Sequence, residues 1–527
     1  MASRIRRLLT GLTILIAGAA AILAVLYLGF GLRLVQDGSG MPRAMFTRAG
    51  TAHDTRLEQH RAAQKATPAP PAAAEPAVAV SPTQPDPSTP AAAPAPGTTA
   101  AATAAATPDG KPAAAGQAAA AGSGAAAPAT VSDGNGHGSV AASPASWTDF
   151  RGPQRDGQYR GPITTAWPSD GLKPIWKQPI GVGYASFVAA DGRIFTIEQR
   201  RDQEVVAGYD AATGRELWTH EWRAAYRDNT GDGPRATPTW HAGKIYALGA
   251  QGDLKVLDAR SGKLLWEKNI LEDNGASNLS WGMAASPLIV DDKVIVLPGG
   301  PGGKSVVAYH KDTGARVWSV LDDRQAYTAP MVVTLAGKRQ LVVVTAERAV
   351  GLTVEDGRLL WERDWVTEYG VNASQPIVIG GNRLFLSAGY GHGAAVIELT
   401  PAGDAFTMRT IWSNKRMKNK FTSSVLHEGY IYGLDEAILA CMDAATGELK
   451  WKGGRYGYGQ LVMASGHLIV ATEDGDLALV KASPDAHQEV VRFAAIEGKT
   501  WNHPAIADGR LFVRNAEEMA AFDLRPR

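Results

Sequence analysis

The sequence of 527 residues contains one cysteine, Cys441, and carries almost no net charge. A single thiol excludes an intrachain disulfide and any zinc or iron–sulfur site that is built from several cysteines. Lysine and arginine together number 53 and aspartate and glutamate 52, which gives a formal charge of +1. Because no excess of positive charge is present to attract a polyanion, we expect no nucleic-acid partner.

Residues 61–130 lack leucine, isoleucine, phenylalanine, tyrosine and tryptophan, the side chains that build most protein cores. This stretch of 70 residues contains 30 alanines and 13 prolines, a composition that cannot bury enough apolar surface to fold. All 14 tryptophans lie at or beyond Trp147. We therefore predict a disordered linker over residues 35–146 and a folded domain over residues 147–527.

The first 34 residues are predicted to form a membrane anchor. Residues 8–32 contain no charged side chain, and they follow Arg4, Arg6 and Arg7. About twenty such residues in a helix cross a hydrocarbon layer of ~30 Å. The basic flank favours a cytoplasmic N-terminus, so the chain is predicted to span the inner membrane once and to place its folded domain in the periplasm. A cleaved signal peptide is the alternative.

A nine-residue element recurs through the folded domain, as DAATGRELW over residues 210–218 and DARSGKLLW over residues 258–266. Aspartate can bond to its own backbone two residues on, and glycine takes the left-handed conformation that closes a short hairpin. The element therefore predicts a turn between two strands. The repeat residues are Asp210, Gly214 and Trp218; Asp258, Gly262 and Trp266; Gly314 and Trp318; Gly357 and Trp361; Asp443, Gly447 and Trp451.

Eight repeat units of 39 to 52 residues result when Trp176, Trp412 and Phe493 are added as weaker copies. A second set of eight marks precedes the first strand of each unit: Ser186-Phe187, Thr237-Pro238, Ser286-Pro287, Ala329-Pro330, Gln375-Pro376, Ser424-Val425, Gln460-Leu461 and His503-Pro504. Units of this length with one aromatic residue each are typical of β-propellers. We predict an all-β fold, an eight-bladed propeller of four-stranded blades, in which residues 174–176 pair with residues 519–524 to complete the last blade.

The Asp-x-x-Thr-Gly-x-x-x-Trp element resembles the tryptophan-docking repeat of the quinoprotein alcohol dehydrogenase-like superfamily, also called PQQ-like repeats. Residues 147–157, 233–238 and 498–504 are similar to the group labelled by its likeness to BamB, a propeller protein of outer-membrane protein assembly. This resemblance implies a non-catalytic binding or scaffolding protein of the cell envelope, with protein partners there and without a cofactor.

The same superfamily implies an alternative function, a PQQ-dependent oxidoreductase. Its dehydrogenases hold pyrroloquinoline quinone between a tryptophan and a ring of adjacent cysteines, with Ca²⁺ and an aspartate that acts as the base. Cys441 alone cannot supply that ring. The sequence also offers a calcium-like loop over residues 228–233, but the glutamate that should close it is replaced by Thr239.

The candidate ligand site is the mouth of the propeller channel, where the segments that enter the innermost strands converge. Aromatic and polar side chains that meet in a concavity are what a binding site requires, although they could equally fill the axis. No catalytic residue and no metal ligand is predicted. The candidate residues are Arg235, Trp281, Asn372, Lys420, Tyr458, Trp501, Asn502 and His503.

The predicted topology can be tested with a reporter enzyme fused after Arg527. Because the basic residues precede the apolar run, we expect reporter activity only in an extracytoplasmic assay. Activity in the cytoplasm would reverse the topology, and recovery of chains that start near residues 22–40 would show cleavage instead of anchoring.

Overall fold

The computed structural model describes residues 17–18, 21, 32–36, 42–46, 48–67 and 145–526. Most of the predicted membrane span, residues 8–32, and the alanine- and proline-rich residues 68–144 lie outside the described residues. In the part of the chain that is described, no helix combines the length and the apolar character needed to cross a membrane.

The N-terminal part contains two paired strands and one helix. Strands β1 (Leu32–Gln36) and β2 (Pro42–Phe46) are antiparallel, and helix α1 (Arg48–Ala66) follows them. These elements fall within or beside the predicted linker of residues 35–146, so α1 is a correction to that prediction. The linker prediction rests on alanine and proline content, but no proline occurs between residues 48 and 66. Helix α1 also packs against the propeller.

The folded domain consists of eight four-stranded antiparallel blades, one of which carries a fifth, parallel strand. Two strands precede the first complete blade, β3 (Gln158–Tyr159) and β4 (Pro174–Pro179). Blade 1 contains β5 (Val188–Ala190), β6 (Arg193–Arg200), β7 (Gln203–Asp210) and β8 (Glu216–Arg223). Blade 2 contains β9 (Thr239–His241), β10 (Lys244–Leu248), β11 (Asp253–Asp258) and β12 (Leu264–Asn269), and helix α2 (Ile270–Asn274) follows it.

The next four blades repeat this arrangement. Blade 3 contains β13 (Leu288–Val290), β14 (Lys293–Val296), β15 (Val306–His310) and β16 (Arg316–Val320). Blade 4 contains β17 (Met331–Leu335), β18 (Lys338–Val344), β19 (Arg348–Leu352) and β20 (Leu359–Asp364). Blade 5 contains β21 (Ile377–Ile379), β22 (Arg383–Ala388), β23 (Gly393–Ala402) and β24 (Ala405–Asn414). Blade 6 contains β25 (Val425–His427), β26 (Tyr430–Asp435), β27 (Ile438–Asp443) and β28 (Leu449–Arg455).

The last two blades complete the ring. Blade 7 contains β29 (Gln460–Ala464), β30 (His467–Ala471), β31 (Asp476–Lys481) and β32 (Glu489–Ala494), and β3 adds a parallel strand to β29. Blade 8 contains β33 (Ala505–Ala507), β34 (Arg510–Arg514) and β35 (Glu518–Asp523), with β4 as its fourth strand. Trp176 of β4 lies opposite Ala521 of β35. The prediction of eight four-stranded blades, closed by residues 174–176, is confirmed.

Burial follows the position of a strand within its blade. In blade 2, β10 and β11 are buried along almost their whole length, whereas β12 alternates and exposes 45% of Leu265. This pattern arises because inner strands are covered by neighbouring blades on both faces, while the fourth strand faces water at the rim. The innermost strands of adjacent blades are also in contact, as in β5 with β9 and β9 with β13.

Each repeat tryptophan joins its blade to the next one. The ring of Trp218 lies against Gly262, where an added Cβ would come within 2.4 Å of the indole, and Trp218 Nε1 donates to the Ala259 carbonyl at 3.1 Å. Gly262 has φ +72°, so glycine is required for the backbone as well as for the space. The same donation to the next blade is made by Trp176, Trp218, Trp266, Trp318, Trp412 and Trp451.

Trp361 departs from this arrangement. Its Nε1 donates to Gln340 of its own blade, although the ring packs in a cluster that includes Leu384 and Ile397 of blade 5. Blade 5 connects β23 to β24 by a long hairpin in place of the aspartate–glycine turn, so the usual acceptor carbonyl is missing from that position.

The packing role of the repeat tryptophans is tested by Trp266→Ala. We expect a loss of about 3–5 kcal/mol, because the change removes a large ring from between two blades. For a domain of this size that corresponds to a fall in Tm of roughly 5 °C in a thermal unfolding scan. Leu265→Ala, next to it but exposed at the rim, is the matched control and should leave Tm unchanged; equal Tm values for both variants would contradict the packing role.

Candidate functional site

Half-buried aromatic side chains surround the mouth of the channel, where the chain enters the innermost strands. We call this set the mouth ring: Tyr184, Tyr226, Trp281, Tyr327, Tyr390, Phe421, Tyr458 and Trp501. Four members of the ring occupy equivalent positions in the repeat, two residues before the marks that precede each first strand, and so does Arg235. These four are Tyr184, Tyr327, Tyr458 and Trp501. That spacing is the signal that would have found Tyr184 and Tyr327, which the sequence analysis missed.

Trp501 is the central contact of the mouth ring. It stacks on Tyr184 with 5.5 Å between ring centroids and lies 4.5 Å from the centroid of Phe421. Phe421 in turn contacts Tyr458 at 5.4 Å. The indole of Trp501 donates to Glu473 Oε1 at 2.9 Å. Four blades therefore contribute to one continuous aromatic surface.

Three cations lie over the faces of these rings. Lys499 Nζ is 4.1 Å from the centroid of Trp501, Lys420 Nζ is 4.7 Å from that of Tyr458, and Arg235 Cζ is 4.4 Å from that of Tyr226. Such contacts attract the cation to the negative face of the ring and hold it at the surface. Burial raises the pKa of Tyr184 beside them, so this phenol stays neutral.

The calcium-like loop, residues 228–233, is organised by the protein's own donors. Asp228 Oδ1 accepts from the Thr230 amide at 2.6 Å and the Gly231 amide at 3.0 Å, while Arg235 pairs with the other oxygen. Thr230 accepts from the hydroxyl of Tyr184 at 2.5 Å. The loop thus supports the mouth ring. Among the described residues, no group of three His, Cys, Asp or Glu side chains is arranged to hold a metal ion.

The structure divides the eight predicted site residues into two sets. Arg235, Trp281, Lys420, Tyr458 and Trp501 lie at the mouth, half-buried, in the mouth ring or over its rings. The other three, Asn372, Asn502 and His503, are buried beneath it.

The three buried residues hold the backbone. Asn372 Nδ2 donates to the carbonyls of Thr345 at 2.8 Å and Trp365 at 3.0 Å, and Asn502 Nδ2 donates to the Ala185 carbonyl at 2.9 Å. Burial, with a contribution from the neighbouring charge of Arg151, lowers the pKa of His503 to about 3, so this imidazole is neutral at ordinary pH.

Two buried arginines from the opening segment, Arg151 and Arg155, reach the innermost strands. Arg155 donates to the Pro330 carbonyl at 2.8 Å, to the Ser286 carbonyl at 3.2 Å and to the Asp149 carboxylate at 3.1 Å.

Arg151 makes equivalent contacts to another blade. It donates to the Ser424 carbonyl at 2.7 Å and the Ser423 carbonyl at 3.2 Å. Burial lowers the pKa of Arg151 to about 10, which leaves the guanidinium charged at neutral pH. Only arginine offers five donors in a fixed fork, which explains its use among carbonyls of several blades.

A cleft of about 790 Å³ lies at the other end of the channel from the mouth ring. It is bordered by the start of the opening segment and by the hairpins between first and second strands, with Trp240, His241 and Arg339 in its lining. The mouth ring and this cleft are therefore separate surfaces.

The described residues do not fit the cofactor set that the dehydrogenase resemblance implies. Cys441 lies in β27 within a blade core, where burial raises the pKa of its thiol to about 11, and it contributes nothing to the mouth. Two carboxylates at the mouth are engaged, Asp228 by Arg235 and Glu473 by Trp501.

Comparisons with known proteins give one family and several relatives. A family model described as outer membrane protein assembly factor BamB matches residues 159–297 and 202–453. BamB of Shewanella oneidensis is 23% identical over 366 residues, which cover 64% of this chain and 85% of that protein. BamB of Burkholderia pseudomallei is 22% identical over 254 residues, which cover 47% and 59%.

A solved structure of quinohemoprotein alcohol dehydrogenase from Comamonas testosteroni is also similar. The superposition has a TM-score of 0.54 at 14% sequence identity, and it covers 74% of this chain and 82% of that chain. At this identity the likeness shows the shared propeller fold alone.

The contribution of the two buried arginines to stability is tested by Arg155→Ala. Removing the guanidinium leaves buried carbonyls of two blades and the Asp149 carboxylate without their donor, so we expect a loss of about 3–5 kcal/mol in unfolding free energy. Arg160→Ala, which breaks a more exposed pair with Asp156, should cost at most about 1 kcal/mol. Chemical denaturation checks both values, and similar midpoints for the two variants would contradict the role of Arg155.

Proposed function

The chain belongs to the BamB family of PQQ-like β-propeller proteins, and from this premise we propose that it is a non-catalytic scaffold of the cell envelope that binds protein partners. The curated relatives are named for outer membrane protein assembly. We propose that this chain takes part in the same process.

The observation that carries the proposal is the mouth ring with its three cations. Aromatic side chains and arginine are enriched at the energetically important centres of protein interfaces. Here they are already held in place, since Trp501 is fixed by Tyr184, Phe421 and Glu473. A preorganised surface loses little conformational entropy on binding, which favours recognition of a partner.

The charges at the mouth favour a partner segment with acidic and aromatic side chains. Lys420 and Lys499 lie over ring faces at the surface, and both are half-buried and thus partly accessible. An acidic side chain of the partner would approach these ammonium groups while its apolar neighbours cover the rings. Electrostatic complementarity of this kind guides encounter and register.

The finer proposal concerns location. We infer that residues 8–32 anchor the protein in the inner membrane as a single span and that the propeller of residues 147–527 works in the periplasm. Support comes from the uncharged run after three arginines and from the cell-envelope names of the relatives.

The alternative, a PQQ-dependent oxidoreductase with Ca²⁺, requires a base within about 3 Å of the substrate proton. Asp228 and Glu473 at the mouth are held by Arg235 and Trp501, and carboxylates held in this way are less available as a base. We expect the purified protein to show no alcohol-dependent dye reduction, even after addition of the quinone and calcium. Turnover that disappears in Trp501→Ala would overturn the scaffold proposal.

The proposed function is tested by complementation with Trp501→Ala. In cells that lack the protein, we expect reduced levels of outer-membrane β-barrel proteins. Wild type and Tyr430→Ala should restore those levels, because Tyr430 lies at the opposite end of the blades. Trp501→Ala should fail although it folds, since losing a central aromatic contact typically costs 2 kcal/mol or more of binding energy, roughly 30-fold in affinity. Full rescue by Trp501→Ala would contradict a role for the mouth.

A further inference from the structure

Helix α1 lies across the junction between blades 8 and 1, where β4 of the last blade meets β8 of the first. We call this junction the closing seam. His53 Nε2 donates to the Ile180 carbonyl at 2.8 Å, immediately after β4. Gln64 Oε1 accepts from the Glu216 amide at 3.0 Å, at the start of β8. One helix therefore holds the backbone on both sides of the seam.

The side chains of the closing seam also converge on α1. Gln178 of β4 accepts from Gln64 at 3.1 Å and contacts His60 at the same distance, while its own amide donates to the Gly214 carbonyl of blade 1 at 2.6 Å. Gly214 is the turn on which Trp176 rests. The helix thus reinforces the contact by which the tryptophan closes the ring.

Arg61 of α1 completes a buried charge network in blade 1. Arg200 pairs with Glu198 at 2.5 Å and with Glu216 at 2.8 Å, and the three side chains are at most 11% exposed. Within the propeller, Arg200 lies between these two carboxylates, and Arg514 adds a buried positive charge near Glu198. Arg61 supplies the second cation that contacts Glu216 itself, with Nη2 2.9 Å from its Oε1.

The pKa of Glu216 reflects this balance. Burial by itself would raise the pKa of this carboxyl, but Arg200 and Arg61 hold it below its usual value. Docking of Arg61 adds a second favourable charge to a carboxylate that Arg200 already pairs, and a charged group at this depth is costly unless it is well paired.

Helix α1 buries little apolar surface with its described side chains. In the part of α1 whose side chains are described, His53 and Leu57 are the buried residues, and the rest of the interface is polar. Its first turn contains no acidic residue to interact with the helix dipole. A single helix of 19 residues is marginal in water, so its folding depends on docking.

We propose that α1 is a releasable clasp on the closing seam, which folds when Arg61 and Leu57 dock and which can open while the propeller stays folded. This inference goes beyond the scaffold function and rests on α1 alone.

If the proposed anchor is also correct, the clasp determines the maximum distance between the propeller and the membrane. With α1 docked, the connection is residues 33–47, most of which form the paired strands β1 and β2, so it is shorter than the roughly 50 Å that fifteen extended residues would span. With α1 released, the connection runs to residue 146 and allows roughly 400 Å at full extension.

Hydrogen exchange of the full wild-type chain tests whether α1 opens separately. We expect amides of residues 52–66 to exchange at least 100-fold faster than those of β6 and β7 in the core of blade 1. Because this comparison needs no variant, it does not depend on the folding of a mutant. Equal exchange rates for α1 and for β6 and β7 would overturn the proposal, since the helix would then open only with the propeller.

A matched pair of charge reversals tests the role of Arg61. Arg61→Glu should speed exchange across residues 52–66 and β4 by at least 10-fold, with β6 and β7 unchanged. Arg56→Glu alters the same helix but breaks an exposed pair with Glu517, and it should change exchange less than 3-fold. Equal effects of the two variants, or loss of protection in β6 and β7 together with α1, would refute the clasp. The result is independent of partner binding, which Trp501→Ala measures.

Discussion

Most blades of this protein are joined by the contact between the tryptophan of one blade and the turn of the next. Trp218, for example, combines a hydrogen bond to Ala259 with close packing on Gly262. A four-stranded sheet cannot bury both faces alone, so its stability comes from neighbours on either side. The ring must therefore close, and β4 supplies the missing strand of the eighth blade.

Ring closure also creates the surface that we propose for binding. Since eight entering segments converge on one axis, single aromatic residues from separate blades become a continuous cluster around Trp501. Below it, Arg155 joins carbonyls of two blades. The mouth is thus held on a rigid support, as a scaffold requires. Its charge and aromatic content are the basis on which we propose a polypeptide partner, and Asp228 and Glu473 are engaged in holding the ring.

The period of the repeats predicted most of the fold, because the turn and the tryptophan of each unit are determined by the local sequence. Features that depend on residues distant in the sequence were not predicted or were assigned to the wrong place. Asn502 follows Trp501 directly, yet its side chain turns inward to backbone carbonyls, since direction depends on how the strand enters the blade. The partners of Arg155 are distant in sequence. Helix α1 was not predicted, because the segment around it is rich in alanine and proline. Its docking site exists only after blades 8 and 1 meet.

Binding of partners at the mouth is tested by site-specific photo-crosslinking in cells. A photoreactive aromatic amino acid replaces Tyr327 at the mouth or Trp240 in the cleft at the other end of the channel. We expect a discrete adduct with a cell-envelope protein from position 327, and none from position 240. Adducts from position 240 alone would contradict this expectation and place the binding surface at the other end of the propeller.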